Sequence, residues 1–311
     1  MGWEITFDTK NGCGNNRKAM SAKRKIAILL HENDRYPAAD GYFIWTLCEV
    51  WREWGIEIEV VKGTQKPVAA DLLIPHVDAT VLPPAYVDFF ENYPRVVNRR
   101  LHDISKRLIS RNLLARTDSH DGPVIVKTNL NSGGTPDANL SGHKIIYSRK
   151  RKNLWSGWLN LSRKKRSSDW REINCMDSHD YQLFPSLAAA PETVFANPSL
   201  VVERFLPEYE NGIYYLRVYQ FFGDCGYCAR VGSPHPIVKQ KNIISREEVP
   251  VPDEIIAIRR ELGMDYGKLD FVMREGRIIL LYVNRTPGRI NPIERMKANA
   301  SRLAPGINGL F

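Results

Sequence analysis

Leu269-Asp-Phe-Val-Met-Arg-Glu-Gly-Arg-Ile-Ile-Leu-Leu-Tyr-Val-Asn284 reads as two apolar strands joined at Arg274-Glu275-Gly276. A short turn containing Gly closes an antiparallel hairpin. Such a hairpin can bring Asp270 and Asn284 near one another across its ladder. Alternation along the second strand puts Tyr282 and Asn284 on the same face. A carboxylate with an amide oxygen can hold Mg²⁺, which takes oxygen ligands and shares them with phosphates.

Working back from the hairpin, Ile213 to Phe222 is a long strand, Gly223-Asp224 its turn, and Gly226 to Val231 the return. Asp253 to Leu262 has the pattern of a helix. Cys225-Gly-Tyr-Cys228 matches C-x-x-C, but no second pair accompanies it and it straddles a strand turn, which argues against a metal or redox role. Pro123-Val-Ile-Val-Lys127 is a strand ending in a lysine and followed by Gly133 and Gly134. Leu200-Val-Val-Glu-Arg-Phe205 is a strand stopped by Leu206-Pro207, and Lys106 lies in Asp103-Ile-Ser-Lys-Arg-Leu-Ile109. Two lysines can neutralise phosphate oxygens, and the amides of a glycine loop can approach them closely.

The first third is simpler. Lys25-Ile-Ala-Ile-Leu-Leu30 is a buried strand, and Ala39 to Trp54 carries Phe43, Leu47, Trp51 and Trp54 at helical spacing before Gly55. Ile56 to Val61 and Asp71 to Val77 supply two more strands, so the segment reads as a parallel α/β unit. Ligands of such units sit at the carboxyl ends of the strands. His31, Asn33, Asp34, His76 and Asp78 lie there and are candidates for substrate contact; a turn or cap role is the plainer reading of Asp34 and Asp78.

Taken in order, Lys106, Val124-Ile-Val-Lys127, Val202-Glu-Arg-Phe-Leu206, Leu216-Arg-Val218, Leu269-Asp-Phe271 and Val283-Asn-Arg-Thr-Pro-Gly288 resemble the ATP-grasp superfamily of glutathione-synthetase-like carboxylate–amine ligases. The resemblance spans about residues 25–288. It implies an α/β (α+β) fold with an N-terminal parallel α/β domain over 24–100 and an ATP-grasp domain over 101–311. Two lobes would clasp the nucleotide, a small central one falling at about 110–200. It implies ATP and Mg²⁺ as cofactors, and carboxylate and amine substrates, small molecules or peptides. By the same resemblance Lys106 and Lys127 would contact ATP phosphates, and the loop of Gly133 and Gly134 would fold over them. Glu203, Arg204, Phe205 and Leu206 would hold adenine, and Glu210 the ribose. Arg217 would be catalytic, stabilising the transferring phosphoryl group. Asp270 and Asn284 would bind metal, and Lys239 and Asn242 would touch phosphate or substrate. The sequence departs from the pattern once. An acidic residue is expected two positions before Asn284, and Tyr282 stands there. Two plainer readings also stand: Arg217 as an ion-pairing arginine on an alternating strand, and Asp270 as a satisfied structural carboxylate.

Composition bounds these readings. The chain of 311 residues is 43% hydrophobic, enough for a substantial core, and its five cysteines are too few for a secreted disulfide scaffold. No apolar stretch approaches a membrane span. Residues 1–23 are polar, lack a signal-peptide core and read as a disordered leader, with Met20 available as a start; a cytoplasmic location is expected. The formal charge of +9 is concentrated between His143 and Arg171, where ten Lys or Arg face a single acid, Asp169, among Trp155, Trp158 and Trp170. This run is expected to be solvated. The leading expectation is therefore an ATP-dependent ligase that activates a carboxylate as an acyl phosphate. A nucleotide-binding protein with little turnover, acting in regulation or interaction, is the alternative, and nucleic-acid binding through the basic segment is the third.

Overall fold

The computed structural model describes residues 24–34, 41–143, 145–148, 164–177 and 180–311. The expected leader over 1–23 and the middle of the basic segment lie outside the described residues.

The chain opens with β1 (Lys25–Leu30), α1 (Ile44–Glu53), β2 (Glu57–Lys62), β3 (Leu72–Pro75) and α2 (Pro84–Asp88). The three strands form a parallel sheet in the order β2-β1-β3, with Ile26 opposite both Ile58 and Leu72. Central β1 is covered on both faces, which is why it is an unbroken apolar run. Ile26 and Ile28 pack toward Phe43, Leu47 and Trp51, while Ala27 and Leu29 pack toward Tyr86, Phe89 and Phe90. Gly55 closes α1 with φ of +82°, a conformation that costs Gly little.

The middle of the chain holds α3 (Lys106–Ile109), β4 (Val124–Thr128), α4 (Thr135–Ser141), β5 (Ile145–Ser148), β6 (Lys164–Ser167), β7 (Gln182–Phe184), α5 (Glu192–Phe195) and β8 (Leu200–Arg204). Strands β7, β4 and β8 make a small antiparallel sheet with β4 at its centre. Alternation divides it sharply. Val124, Val126, Leu200 and Val202 bury one face, and Lys127 and Glu203 stand on the other.

The last part comprises β9 (Glu208–Glu210), β10 (Ile213–Phe222), β11 (Cys225–Ser233), β12 (Ser245–Val249), α6 (Asp253–Glu261), β13 (Tyr266–Arg274), β14 (Arg277–Asn284) and α7 (Ile293–Leu303). A large antiparallel sheet runs β12-β11-β10-β13-β14, with β9 also paired to β10. Glu275 and Gly276, both at positive φ, make the two-residue turn that joins β13 to β14. One face of this sheet, with Tyr219, Phe221, Leu269 and Phe271, packs on Ile255 of α6. Cys225 and Cys228 fall in different cores, on opposite faces of β11, and Cys228 is a free thiol, so C-x-x-C is not a chelating pair here. Helix α7 crosses back to α1, and Trp51 donates to the Ala304 carbonyl at 3.1 Å.

Buried Arg285 ties the parts together. It donates to the carbonyls of Leu101 (2.5 Å), Ala79 (2.6 Å) and Thr80 (3.3 Å). Among the described residues no helix is long and apolar enough to cross a membrane.

Candidate functional site

The polar face of the small sheet contributes the first pair. Lys127 on β4 reaches Glu203 on β8 at 2.6 Å, and Glu203 is only 2% exposed. Burial pushes the Glu203 carboxyl up, but Lys127, with help from Ser110 and Lys106, outweighs it and holds the group below the usual range. Lys106, at the start of α3, is 1% exposed and donates to the Leu130 carbonyl at 2.8 Å. Its pKa is pushed down to about 7, first by burial and then by the Lys127 charge, against the pull of Glu203.

The large sheet contributes the second pair. Asp270 lies opposite Tyr282, and Lys268 opposite Asn284, so all four side chains share one face. Lys268 Nζ approaches Asp270 Oδ2 at 3.1 Å and lies 5.7 Å from the centre of the Tyr282 ring. Lys239, in the loop after β11, feels Asp270, Lys127 and Lys268 together; burial above all pushes its pKa down to about 8. Its ammonium lies 5.5 Å from the Tyr181 ring. Four lysines thus converge between the two antiparallel sheets, Lys106 and Lys127 buried and Lys239 and Lys268 half-buried, on Glu203 and Asp270, with Asp137 also acting on Lys106. Like charges at this depth are unfavourable unless an anion joins them.

The glycine loop spans the gap. Ser132, Gly133 and Gly134 all have positive φ. A Cβ on Gly133 would collide with the Met176 carbonyl, whose own amide donates to Gly133 O at 2.9 Å. Asn131 donates its side-chain amide to Val283 O at 2.7 Å, and Ser132 Oγ meets the Tyr282 hydroxyl at 2.9 Å. The loop is therefore clasped to β14.

The residues expected to bind Mg²⁺ offer it few open oxygens. Asp270 Oδ2 is engaged by Lys268, leaving Oδ1, which is buried with no partner. Asn284 Oδ1 accepts from the Thr286 amide at 2.8 Å, and the Thr286 hydroxyl lies 3.2 Å away with its one proton nearer Asp78, at 2.7 Å. Burial raises the Tyr282 phenol well above its ordinary range, so it stays neutral. Among the described residues no three His, Cys, Asp or Glu side chains are grouped to hold a metal. Asp270 Oδ1 is the carboxylate oxygen left open here, so a Mg²⁺ ion would have to draw most of its ligands from phosphate and water.

Other expected residues stand elsewhere. Arg217 pairs in register with Phe271, and Val218 with Asp270, so Arg217 projects from the opposite face of the large sheet. There it holds Glu208 through two nitrogens at 2.9–3.3 Å. Glu208 also accepts from Arg230 at 2.8 Å, and Arg230 reaches Glu210 at 2.9 Å. This network lines a surface concavity of about 600 Å³. The amides of Arg204 and Phe205 already donate to Asn112 O and Pro123 O, each at 2.9 Å. Leu206 is half-buried just beyond β8. Asn242 accepts from the Lys239 amide (2.7 Å) and donates to Ile237 O (2.9 Å), which fixes the loop that carries Lys239.

At the strand ends of the parallel sheet, His31 stacks on Tyr86 (5.1 Å) and accepts from the Asn33 amide, while Asn33 donates to Leu140 O at 2.8 Å. Tyr42 donates to Asp34 (3.1 Å) and lies 3.4 Å from Asp78, which also accepts from Thr286 at 2.7 Å. Burial, then the charges of Asp137 and Asp34, raise Asp78 to about 6 against its hydrogen bonds from Thr286 and Tyr42. Asp137 accepts from the amide and hydroxyl of Thr80, both at 2.7 Å. His76 is fully buried, packed edge-on to Tyr42 at 4.5 Å, and burial pushes its pKa down to about 3. Asp34 and Asp78, with Asp137 from α4, therefore surround the end of β14.

Sequence reasoning passed over Lys268, Tyr181, Ser132 and Asp137. Lys268 was within reach, since strand alternation from Asp270 puts it on the same face two residues earlier. The others needed the tertiary arrangement.

No family model matches the chain, and no curated protein matches it. Among solved structures, D-alanine–D-alanine ligase from Bacillus anthracis is 14% identical, covering 93% of this chain and 96% of that one, with a TM-score of 0.46. A RimK domain ATP-grasp protein from Sphaerobacter thermophilus is 12% identical, covering 92% and 98%, at 0.45. The ATP-grasp ligase PsnB, complexed with a minimal precursor, is 12% identical, covering 92% and 99%, at 0.47. At these identities and scores the likeness assigns neither activity nor site residues.

Proposed function

We propose that the cleft between the two antiparallel sheets binds the polyphosphate of ATP, and that the chain is a ligase of the ATP-grasp type. The observation that carries this reading is the convergence of Lys106, Lys127, Lys239 and Lys268 on fewer carboxylates, Glu203 and Asp270 with Asp137 acting on Lys106. Such a cluster, with Lys106 and Lys127 buried, has an excess of positive charge that a polyphosphate would neutralise. In the reaction, a substrate carboxylate oxygen attacks the γ-phosphorus and ADP departs. An amine nitrogen then attacks the acyl carbon, inorganic phosphate leaves, and the amine gives up its proton. The lysines stabilise charge on the transferring group, and the clasped glycine loop excludes water. Asp34, Asp78 and Asp137, at the end of β14, favour an amine-bearing substrate on that side.

The test uses proton linkage. Lys106 and Lys239 have pKa values of about 7 and about 8. Phosphate beside them raises both, so ATP binding should take up protons between about pH 7 and 9, and affinity should weaken as pH rises through that range. Calorimetry in Tris and HEPES reads the uptake directly. Binding that is absent, or present without proton uptake, sinks the assignment. Turnover is then tested by following ATP-dependent phosphate release against pooled amino acids, peptides and hydroxy acids.

A second reading, nucleotide binding with little turnover, is favoured by the hydrogen bond between Ser132 and Tyr282, which locks the loop to a residue that cannot ligate metal. The two readings part on the phosphate-release screen.

Arg217 is assigned an ion-pairing role. Arg217→Ala is expected to leave ATP affinity within about twofold while lowering stability by about 1–3 kcal/mol, because the partly buried Glu208 loses its bidentate partner. A loss of tenfold or more in affinity at unchanged melting temperature would return Arg217 to the site.

A further inference from the structure

We propose that the Lys268 ammonium, held on Asp270, takes the place of a divalent cation, so that the cleft binds a nucleoside polyphosphate free of metal. The inference rests on the reading of the cleft as a nucleotide site.

Three features of the large sheet carry it. First, Asp270 is already occupied by a cation. Lys268 Nζ lies 3.1 Å from Oδ2, and the two residues are neighbours on one strand face, so the pair is built into the strand itself. Second, the residue across the ladder from Asp270 is an aromatic ring rather than an oxygen ligand. The Lys268 ammonium lies 5.7 Å from the Tyr282 ring centre. An ammonium is attracted to the face of such a ring, whereas Mg²⁺ gives up water reluctantly and accepts only oxygen in exchange. The Tyr282 hydroxyl is turned to Ser132. Third, Asn284 already commits one lone pair of its side-chain oxygen to the Thr286 amide at 2.8 Å.

The charges agree with this assignment. Lys268 adds to Lys106, Lys127 and Lys239, and all act on the same small volume. An ammonium carries three donors, and Asp270 takes one of them. The remaining hydrogens can meet phosphate oxygens, where Mg²⁺ would otherwise bridge them. A bridging metal on Asp270 Oδ1 would share the carboxylate with the Lys268 ammonium and feel its charge at short range.

The experiment measures ATP binding to the full chain by calorimetry, once in excess EDTA and once in excess MgCl₂. Affinity in EDTA is expected to equal or exceed that in MgCl₂. Lys268→Met should weaken binding in EDTA by about tenfold or more, the worth of one charged hydrogen bond. Lys268→Arg should retain most of it, which separates a charge role from a packing role. The double variant Lys268→Met with Tyr282→Glu should bind ATP better in MgCl₂ than in EDTA, and should hold Mn²⁺ in its ATP complex by electron paramagnetic resonance, where the wild type holds none. Binding by the wild type only in MgCl₂, or unchanged binding of Lys268→Met in EDTA at an unchanged melting temperature, overturns the proposal. Binding in neither buffer overturns the nucleotide reading itself.

Discussion

Lys106→Met is expected to weaken ATP binding by about 10- to 150-fold, the equivalent of about 1.5–3 kcal/mol for a charged hydrogen bond. Met preserves most of the volume of the buried stem while deleting the charge. The side chain makes one hydrogen bond, to Leu130 O, so the fold loses little. Stability should hold or rise at neutral pH, because an ammonium at 1% exposure is itself costly. The pH dependence supplies a control. Folding holds Lys106 near 7, below its unfolded value, so the folded chain binds fewer protons between the two. Stability from this group therefore increases as pH rises from about 7 toward 10, and the variant should lose that slope. Calorimetry for affinity and urea unfolding at pH 7 and 9 check both halves. Unchanged affinity would remove Lys106 from the site.

Lys127→Met should behave differently although it removes the same charge. It abandons Glu203, whose side chain is 3% exposed, and breaking such a pair from one side costs about 3–5 kcal/mol. The Glu203 carboxyl lies below its ordinary pKa, so its stabilising contribution is complete at neutral pH and is lost only as pH falls through the folded value. In Lys127→Met that contribution is gone at neutral pH as well. Adding Glu203→Gln should restore most of the stability without restoring ATP affinity. Denaturant unfolding and calorimetry on the single and double variants separate the two effects. A double variant as unstable as the single one would show that the ion pair is not the source of the loss.

Lys127, Asp270 and Asn284 stand out in the sequence because each closes or lines a strand with a strong apolar pattern, whereas Lys106, at the start of α3, stands out only by its place in the ordered set. The same patterning gave the parallel unit around Lys25–Leu30 and the hairpin of β13 and β14. The side of the sheet was not legible for Arg217. Alternation fixes which residues of one strand share a face, but relating Arg217 to Asp270 requires the register between β10 and β13, which pairs Val218 with Asp270. Asp270 and Asn284 illustrate the same limit. They lie on one face, yet Asp270 is opposite Tyr282, and Asn284 is opposite Lys268. The glycine loop's attachment to Met176 and Tyr282 joins segments far apart in sequence, and no local signal announces such contacts.

The return of α7 to α1 has a consequence for synthesis. Ile26, Phe43, Leu47 and Trp51 share one core with Met296, Ala300, Leu303 and Ile307. Domains usually fold as they emerge, amino end first. Here the first sheet emerges with one apolar flank bare, and the residues that cover it are translated after both antiparallel sheets. The nascent amino-terminal unit must wait, half-assembled, while the two antiparallel sheets are made. That core closes only once α7 has been made, after the strands of both antiparallel sheets.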